Sequence, residues 1–341
     1  MKILIKLLLL IITAITIYLL YPRSSDKLLY IPKKDDIYPI EAILLQDTPL
    51  SSIDLKILYL LDAKDGWVRL DKSDNNLLKI YQKILKNKRE KSRKVVVFGG
   101  DTIYNILKKI AKQTNLSFSS LYKEYFKISN FNEGEILAKK YNIPYKATPR
   151  SIISYMIYKS HNISREIAKN RDILIPSTKF KDYLTIASLI EKETQYYKEM
   201  PLISAVIHNR LKKGMKLQLD ASLNYGKNLH KIVTHNLIKE DRSRYNTYKH
   251  KGLPPSPICS PSITALRAAF YPANVNYLYF VKSGNRHKFS VKYKTHISKV
   301  KVYKKNLKEY RAKKINQLLS QRIDIKLPQI TPNKKFNLSI K

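Results

Sequence analysis

The sequence has little cysteine, glycine or acidic side chain, and each scarcity excludes a class of protein. Cys259 is the only cysteine in 341 residues, so no disulfide can form within the chain. The 8 glycines form no P-loop and no dinucleotide fingerprint. No His, Cys and Asp cluster at metal-ligand spacing and no G-x-S-x-G nucleophile motif occurs either. We therefore expect no metal and no organic cofactor.

Acidic residues are so few that the net charge reaches +39. A basic chain of this kind suits nucleic acid, an anionic membrane surface or an anionic cell-wall polymer. General enrichment in lysine explains the charge equally well, because the lysines are spread along the chain. Since no compact basic block alternates with aromatic residues, we expect no direct binding of nucleic acid.

The chain opens with an apolar segment, MKILIKLLLLIITAITIYLLYPRSS. From residue 7 to residue 21 every position is apolar or threonine, which approaches the roughly 20 residues that cross a hydrocarbon core. A cleaved signal peptide needs small residues before its cleavage site, whereas Leu19, Leu20 and Tyr21 are bulky. We therefore expect an uncleaved single-pass anchor in the cytoplasmic (inner) membrane, with the rest of the chain outside the cytoplasm.

Helical periodicity and turn signals divide the exported part. Residues 77–87 have apolar side chains at helical spacing, and the charged stretch KREKSRK at 88–94 marks a boundary. Residues 95–121 predict a strand, a Gly-Gly turn and a helix capped by Asp101 or Thr102. The helix would bury an apolar stripe of Ile103, Ile106, Leu107 and Ile110. This pattern resembles the LysM family of small glycan-binding modules, although a generic strand, turn and helix has the same pattern. The predicted class is α+β, with an anchor at 1–22, a membrane-proximal region at 23–92, a LysM-like subdomain at 93–175 and a catalytic domain at 176–341.

The stretch TIASLIEKETQ at 185–195 raises the question of which glutamate does chemistry. Residues two apart on a helix are separated by about 200° around its axis, so Glu191 and Glu193 face different ways. Ile186, Leu189 and Ile190 place Glu193 on their apolar stripe, which Tyr197 continues. Partial burial raises the pKa of a carboxyl, as a general acid at neutral pH requires.

The motifs that follow are rich in amide and aromatic side chains, which suit a sugar-binding cleft. They read HNRLKKGMKLQLD at 208–220, NYG at 224–226, YNTY at 245–248, GLPPSPI at 252–258 and YLYFV at 277–281, with a late His287. Together with EKET, their order resembles the endolytic murein transglycosylases of the MltG (YceG-like) family. The resemblance is dense over about residues 183–300.

The resemblance implies a membrane-anchored lytic transglycosylase that cuts nascent peptidoglycan internally, between N-acetylmuramic acid and N-acetylglucosamine. The products would end in 1,6-anhydro-N-acetylmuramic acid, and the cut would terminate glycan elongation. The second glutamate of EKET, Glu193 here, is the implied catalytic residue. Peptidoglycan strands and the membrane are the implied partners, with peptidoglycan synthases as a further candidate. The motifs also carry over these substrate-binding residues: Gln218, Asp220, Tyr225, Asn246, Tyr248, Tyr279 and His287.

The chain departs from the family pattern at three places. Ala221 stands where members have proline, Ser256 stands where they have glycine, and the Glu-Gly motif is reduced to EGEILAKKY at 133–141. A membrane-tethered glycan-binding scaffold without catalysis is the competing interpretation. The two interpretations differ in Glu193 and its surroundings.

Overall fold

The computed structural model describes residues 1–23, 27–34, 48–86, 88–229 and 231–323. The chain divides into two compact units, Met1–Asn276 and Tyr277–Lys341. Helix α1, Lys2–Leu20, is the one helix within the described ranges that is long and apolar enough to cross a membrane, with a mean hydropathy of 2.7. The architecture is a mixture of helices and short strands, as predicted.

The membrane-proximal part pairs two short strands and packs two helices on them. Its elements are β1 Leu28–Ile31, α2 Ser52–Leu60, β2 Gly66–Arg69 and α3 Leu77–Leu85. The strands are antiparallel, with Leu28 opposite Arg69. Helix α3 begins after its cap Asn76 and buries the predicted apolar stripe.

A strand–helix–helix–strand subdomain follows: β3 Ser92–Val96, α4 Ile103–Thr114, α5 Phe118–Ile128 and β4 Lys140–Pro144. Strands β3 and β4 are antiparallel. The Thr102 side chain caps α4, as predicted, by accepting a hydrogen bond from the Asn105 N–H. The predicted stripe of α4 is also buried. Strand β3 begins inside the predicted charged boundary, because backbone pairing with β4 extends to Ser92.

The rest of the first unit is helical. Its helices are α6 Pro149–Ala168, α7 Thr178–Glu193, α8 Met200–Lys212, α9 Asp220–Leu223, α10 His235–Glu240 and α11 Ile263–Phe270. Helix α7 packs against α8 and α11. The predicted stripe residues Ile186, Leu189 and Ile190 are buried, and so is every other residue from 184 to 190, because neighbours cover this part of α7 on all sides. Tyr197 does not continue the helix, because α7 ends at Glu193 and Tyr197 is 60% exposed in a short 3-10 turn.

In the part that the structure describes, the second unit contains the hairpin β5 Tyr279–Ser283 and β6 Arg286–Ser290, followed by helix α12 Tyr293–Ile323. The strands pair Lys282 with His287. Within this unit the Tyr279 ring stacks on His296 with centroids 5.2 Å apart, and the His287 ring meets Phe280 edge-on at 5.4 Å.

Candidate active site

Glu193 occupies the last turn of α7, where the chain turns away from the buried part of the helix. The Ser177 side chain caps the start of α7 by accepting from the Phe180 N–H at 3.1 Å. Thr194 is extended, with φ −148° and ψ 141°, so the helix ends directly after Glu193. The Glu193 side chain is therefore held at the end of a buried helix while remaining partly exposed.

Burial raises the pKa of Glu193 to about 7, and the negative charge of Asp220 adds to the effect. The nearby backbone N–H of Ala221 and the positive charge of Arg210 act in the opposite direction and lower the pKa of Glu193. A pKa near neutrality lets one carboxyl both donate and accept a proton during a reaction.

Asp220 lies beside Glu193 and is held by a tyrosine. The Tyr248 hydroxyl donates to Asp220 Oδ1 at 2.6 Å. Burial, together with the charges of Asp220 and Glu193, holds the pKa of Tyr248 well above its usual value, so this hydroxyl remains a donor. Glu193, Asp220 and Tyr248 thus form one electrostatically linked group.

Thr247, which the sequence analysis did not select, joins the LQLD and YNTY segments. Its carbonyl accepts from the Gln218 N–H at 3.1 Å, and its hydroxyl accepts from the Leu219 N–H at 3.0 Å. The same hydroxyl lies 2.9 Å from Ser222 Oγ. The sequence could have indicated Thr247, because it lies between Asn246 and Tyr248, which the family resemblance had selected.

Arg210 is a second residue that the sequence analysis missed. It is buried at the end of α8 and donates to the Leu217 carbonyl, which fixes the start of the LQLD segment. Its charge is also the nearby positive charge that lowers the pKa of Glu193. The sequence HNRLKK does not show that the Arg210 side chain is directed toward Leu217 and Glu193.

Gln218 has a left-handed backbone, with φ 51°, and an exposed side chain. This conformation is costly for a residue with a Cβ and is often retained at functional sites. The hydrogen bond from its N–H to Thr247 holds the backbone in place. The side chain is therefore presented to solvent two residues before Asp220.

Asn246 lies inside the protein and uses its amide on the surrounding loop. Its Nδ2 donates to the carbonyls of Ile238 at 2.9 Å and Asp241 at 2.8 Å, and its Oδ1 accepts from the Tyr248 N–H at 3.1 Å. Its exposed fraction is 0%. In place of the predicted substrate contact, this geometry gives Asn246 the task of shaping the loop that presents Tyr248.

Tyr225 belongs to a neighbouring aromatic group. Its ring is tilted against Tyr245 with centroids 4.9 Å apart, and the Tyr245 hydroxyl lies 2.6 Å from Ser256 Oγ. Burial and the nearby Glu133 raise the pKa of Tyr225. Ser256, one of the three departures from the family pattern, therefore has a specific hydrogen-bond partner.

The reduced motif at 133–141 still performs packing functions. Glu133 Oε1 accepts from the Ile103 N–H at 2.6 Å and so occupies the N-terminal end of α4. Burial raises its pKa to about 8. Gly134 has φ +80°, and a Cβ there would lie 2.6 Å from Pro257 Cβ, so glycine is required for this close approach.

Glu191 faces the junction between the β3–α4 turn and α11. Its Oε2 accepts from the Ser262 N–H at 2.9 Å, at the start of α11. A Cβ on Gly99 would lie 1.9 Å from Glu191 Oε1, so the carboxylate occupies the space that this glycine leaves. Glu191 thus connects three segments that are distant in sequence.

Tyr279 and His287 belong to the second unit, where both pack among aromatic rings. A role for either in substrate binding stays a prediction. No group of three or more His, Cys, Asp or Glu side chains suited to a metal ion occurs within the described ranges.

The chain that forms this site matches a known family of proteins. The model of the YceG-like family matches residues 29–302, most of the chain, so the chain belongs to that family. A YceG-like protein of Listeria monocytogenes shares the fold, with a TM-score of 0.53 and 24% identity over 80% of this chain and 98% of that one.

Curated relatives carry the name endolytic murein transglycosylase. The chain is 41% identical to that of Bacillus subtilis strain 168 over 102 residues, which are 30% of this chain and 28% of the relative. It is 31% identical to that of Streptococcus pneumoniae R6 over 159 residues, or 44% of this chain and 28% of the relative. The matches thus span less than a third of these relatives' lengths.

Proposed function

We propose that this protein is a lytic transglycosylase that cuts peptidoglycan glycan strands internally, between N-acetylmuramic acid and N-acetylglucosamine. The observation that carries the proposal is the placement of Glu193, a partly exposed carboxyl at the end of α7 beside Asp220 and Tyr248, where burial raises its pKa to about 7. Membership of the YceG-like family and the names of the curated relatives support the same reaction.

A single carboxyl suffices for this chemistry. Protonated Glu193 gives its proton to the glycosidic oxygen as the bond from that oxygen to the muramic acid C1 breaks. The C6 hydroxyl of the same sugar then attacks C1 through its oxygen and gives its proton to the Glu193 carboxylate. The new bond closes a 1,6-anhydro ring, and Glu193 is protonated again for the next turnover. No water is consumed.

The neighbours of Glu193 set its proton affinity and position. The charge of Asp220 raises the pKa of Glu193 and so favours the acid form at the start of the reaction. Tyr248 holds Asp220 in place, and the Ala221 N–H stabilises the carboxylate formed midway. Gln218, Tyr225, Tyr279 and His287 are proposed substrate contacts, and Asn246 acts through the loop it shapes.

We also propose that α1 remains attached as a membrane anchor and that the body lies outside the cytoplasm. The Tyr18 hydroxyl, near the end of α1, donates to buried Asp54 at 2.9 Å. Leu19 packs against the membrane-proximal core. Cleavage after residue 22 would remove contacts of the folded body. The intact mass of protein extracted from membranes tests this, since a shorter chain would contradict it.

Within the predicted 93–175 subdomain, the elements from β3 to β4 have the strand–helix–helix–strand order that a LysM-like module would need, and helix α6 follows them. The loops of this subdomain hold the segment that follows the GLPP motif: the Gly100 N–H donates to the Ser260 carbonyl at 3.0 Å, and the Ala138 N–H to the Pro261 carbonyl at 2.9 Å. We therefore propose it as a LysM-like scaffold for the catalytic domain at 176–341. Peptidoglycan synthases remain proposed partners.

The test is a digest of purified glycan strands by the full chain in detergent, followed by mass spectrometry of the products. We expect wild type to release internal fragments with 1,6-anhydro ends. Glu193→Gln should keep the fold and release none, while Glu191→Gln should retain activity as the matched control. Binding without cleavage by wild type would instead favour the competing function, a catalytically inactive scaffold.

A further inference from the structure

Helix α2 carries apolar side chains on two opposite faces. The face turned toward the core carries the buried residues Leu55, Leu58 and Tyr59. The opposite face, which we call the outer face, carries four exposed aliphatic residues: Ile53, Ile57, Leu60 and Leu61. Their spacing of i, i+4, i+7 and i+8 places them on one side of the helix. A surface helix ordinarily has polar residues on the side away from the core, so the outer face is an apolar surface that the core does not use.

The start of α2 is fastened to the last turn of α1. Asp54, in the first turn of α2, accepts a hydrogen bond from the Tyr18 hydroxyl at 2.9 Å. Arg23, just past α1, donates to the Pro49 carbonyl at 2.9 Å and holds the segment that leads into α2. The Arg23 guanidinium also lies over the Tyr18 ring, 5.1 Å from its centroid. These contacts place the start of α2 beside the end of the proposed membrane anchor.

The length of α1 sets the depth of this contact in a membrane. Its 19 residues extend about 29 Å, close to the roughly 30 Å of a hydrocarbon core. The last turn of α1 therefore lies near the boundary between acyl chains and headgroups, and the start of α2 lies there with it. A helix in this layer sinks its apolar face about 5–10 Å into the boundary region. The outer face is thus within reach of lipid.

The chemistry of the outer face favours lipid as its occupant. Its four side chains are aliphatic, so they offer no hydrogen bond and no ring on which a sugar could stack. Lys56 is the one exposed charged residue within α2, and its positive charge complements anionic headgroups. Because α1 keeps lipid beside α2 in every copy, a bilayer can cover this face without a separate encounter, whereas a protein partner would have to displace it.

We propose that the outer face of α2 is a membrane-contact surface, which inserts into the headgroup and upper acyl region of the bilayer beside α1. This inference rests on the proposed role of α1 as an anchor. A single helix would let the folded body swivel about its tether, whereas α1 and α2 together hold it in one orientation. Glu193 belongs to the same compact unit and is then kept at a constant height above the membrane.

The experiment places one fluorescent label at a time in the full-length protein, with one copy per nanodisc of phosphatidylcholine and phosphatidylglycerol. Cys259 is fully buried, so a thiol reagent labels only an introduced cysteine. We expect a label at Leu60→Cys to lose most of its fluorescence when the lipids carry a nitroxide near the headgroup end of their acyl chains. A label at Leu174→Cys, in the loop between α6 and α7, should keep its fluorescence. The two leucines are matched controls, since they are 81% and 77% exposed.

A label at Ile12→Cys, in the middle of α1, separates this inference from the anchor proposal. Quenching of that label by nitroxides at the bilayer centre, without quenching at Leu60→Cys, overturns the α2 inference and leaves the anchor standing. If neither label is quenched, both proposals fail. A Leu60→Cys label that is hidden from aqueous iodide and also from the lipid nitroxides is covered by protein, which overturns the inference as well.

Substitutions on the outer face test whether its apolar character matters. Ile53→Ser with Ile57→Ser should abolish most of the lipid quenching at Leu60→Cys, because the serine hydroxyls favour water. Ile53→Val with Ile57→Val keeps the face apolar and should retain the quenching. Circular dichroism confirms that each variant is folded. Undiminished quenching in the serine pair overturns the proposal. None of these readouts involves cleavage, so the proposed transglycosylase activity is tested separately.

Discussion

Glu191 accepts a hydrogen bond from the backbone N–H of Ser262 at 2.9 Å, across 71 positions of sequence. This contact commits the first glutamate of the EKET stretch to the packing of α7 against α11. Glu193, two residues later, lies beside Asp220 and has its pKa raised to about 7. The two carboxylates therefore differ in their surroundings: Glu191 takes part in packing, and Glu193 has the raised pKa that the proposed proton transfer requires.

Removing the Glu191 carboxylate should affect stability more than chemistry. Glu191→Ala leaves the Ser262 N–H without its partner, and we expect the free energy of unfolding to fall by about 1–3 kcal/mol. Glu191→Gln keeps an oxygen that accepts this hydrogen bond, so its loss should be smaller. Chemical denaturation in detergent measures both. Complete loss of cleavage in a well-folded Glu191→Gln would show that this carboxyl takes part in the reaction.

Gly99 should tolerate alanine only if Glu191 is shortened. The new Cβ would lie 1.9 Å from Glu191 Oε1, so Gly99→Ala must displace the carboxylate, at a cost of about 1–3 kcal/mol. In a Glu191→Ala background the same change should cost much less. A double-mutant cycle measures this coupling. Additive losses would mean that the two residues do not share this space.

Asp220 should raise the upper pH limit of activity, which burial of Glu193 already raises. The reaction starts from protonated Glu193, so the rate falls as pH rises through its pKa of about 7. Asp220→Asn removes a negative charge that raises this pKa, and the high-pH limb of kcat/KM should move to lower pH. The pH profile of strand cleavage measures the shift.

Tyr248→Phe is the matched control for that experiment. It removes the hydroxyl that donates to Asp220 but leaves the Asp220 charge in place. We expect lower activity, because Asp220 loses its support, with no movement of the limb to lower pH. If the high-pH limb moved to lower pH equally in Asp220→Asn and Tyr248→Phe, the charge of Asp220 could not be the cause of the shift.

Glu193→Gln should stabilise the protein at neutral and higher pH. The folded pKa of Glu193, about 7, lies above the ordinary value of 4.5, so between these values the folded state binds the proton more tightly than the unfolded state. Wild-type stability therefore falls as pH rises through this window. Glutamine cannot ionise, so the free energy of unfolding of the variant should rise relative to that of wild type between about pH 4.5 and about pH 7. A constant difference at all pH values would contradict the raised pKa.

The local sequence predicted the features of helices that follow from the spacing of apolar residues and from capping residues. The Thr102 cap and the stripe of α4 followed from spacing, as did the burial of Ile186, Leu189 and Ile190 on α7. Contacts between segments far apart in sequence had no such signal. The partner of Glu191 is 71 residues away, and the burial of Asn246 depends on carbonyls supplied by a neighbouring helix and loop. Tyr197 was misplaced because helix periodicity does not show where α7 ends.

The most direct test of Glu193 as the single acid and base is cleavage of glycan strands in water enriched in heavy oxygen. The intramolecular attack by the C6 hydroxyl predicts anhydro ends from wild type that carry no heavy oxygen, and no products from Glu193→Gln. New reducing ends that carry the label would contradict this mechanism. They would identify water as the nucleophile and require a second carboxylate to activate it.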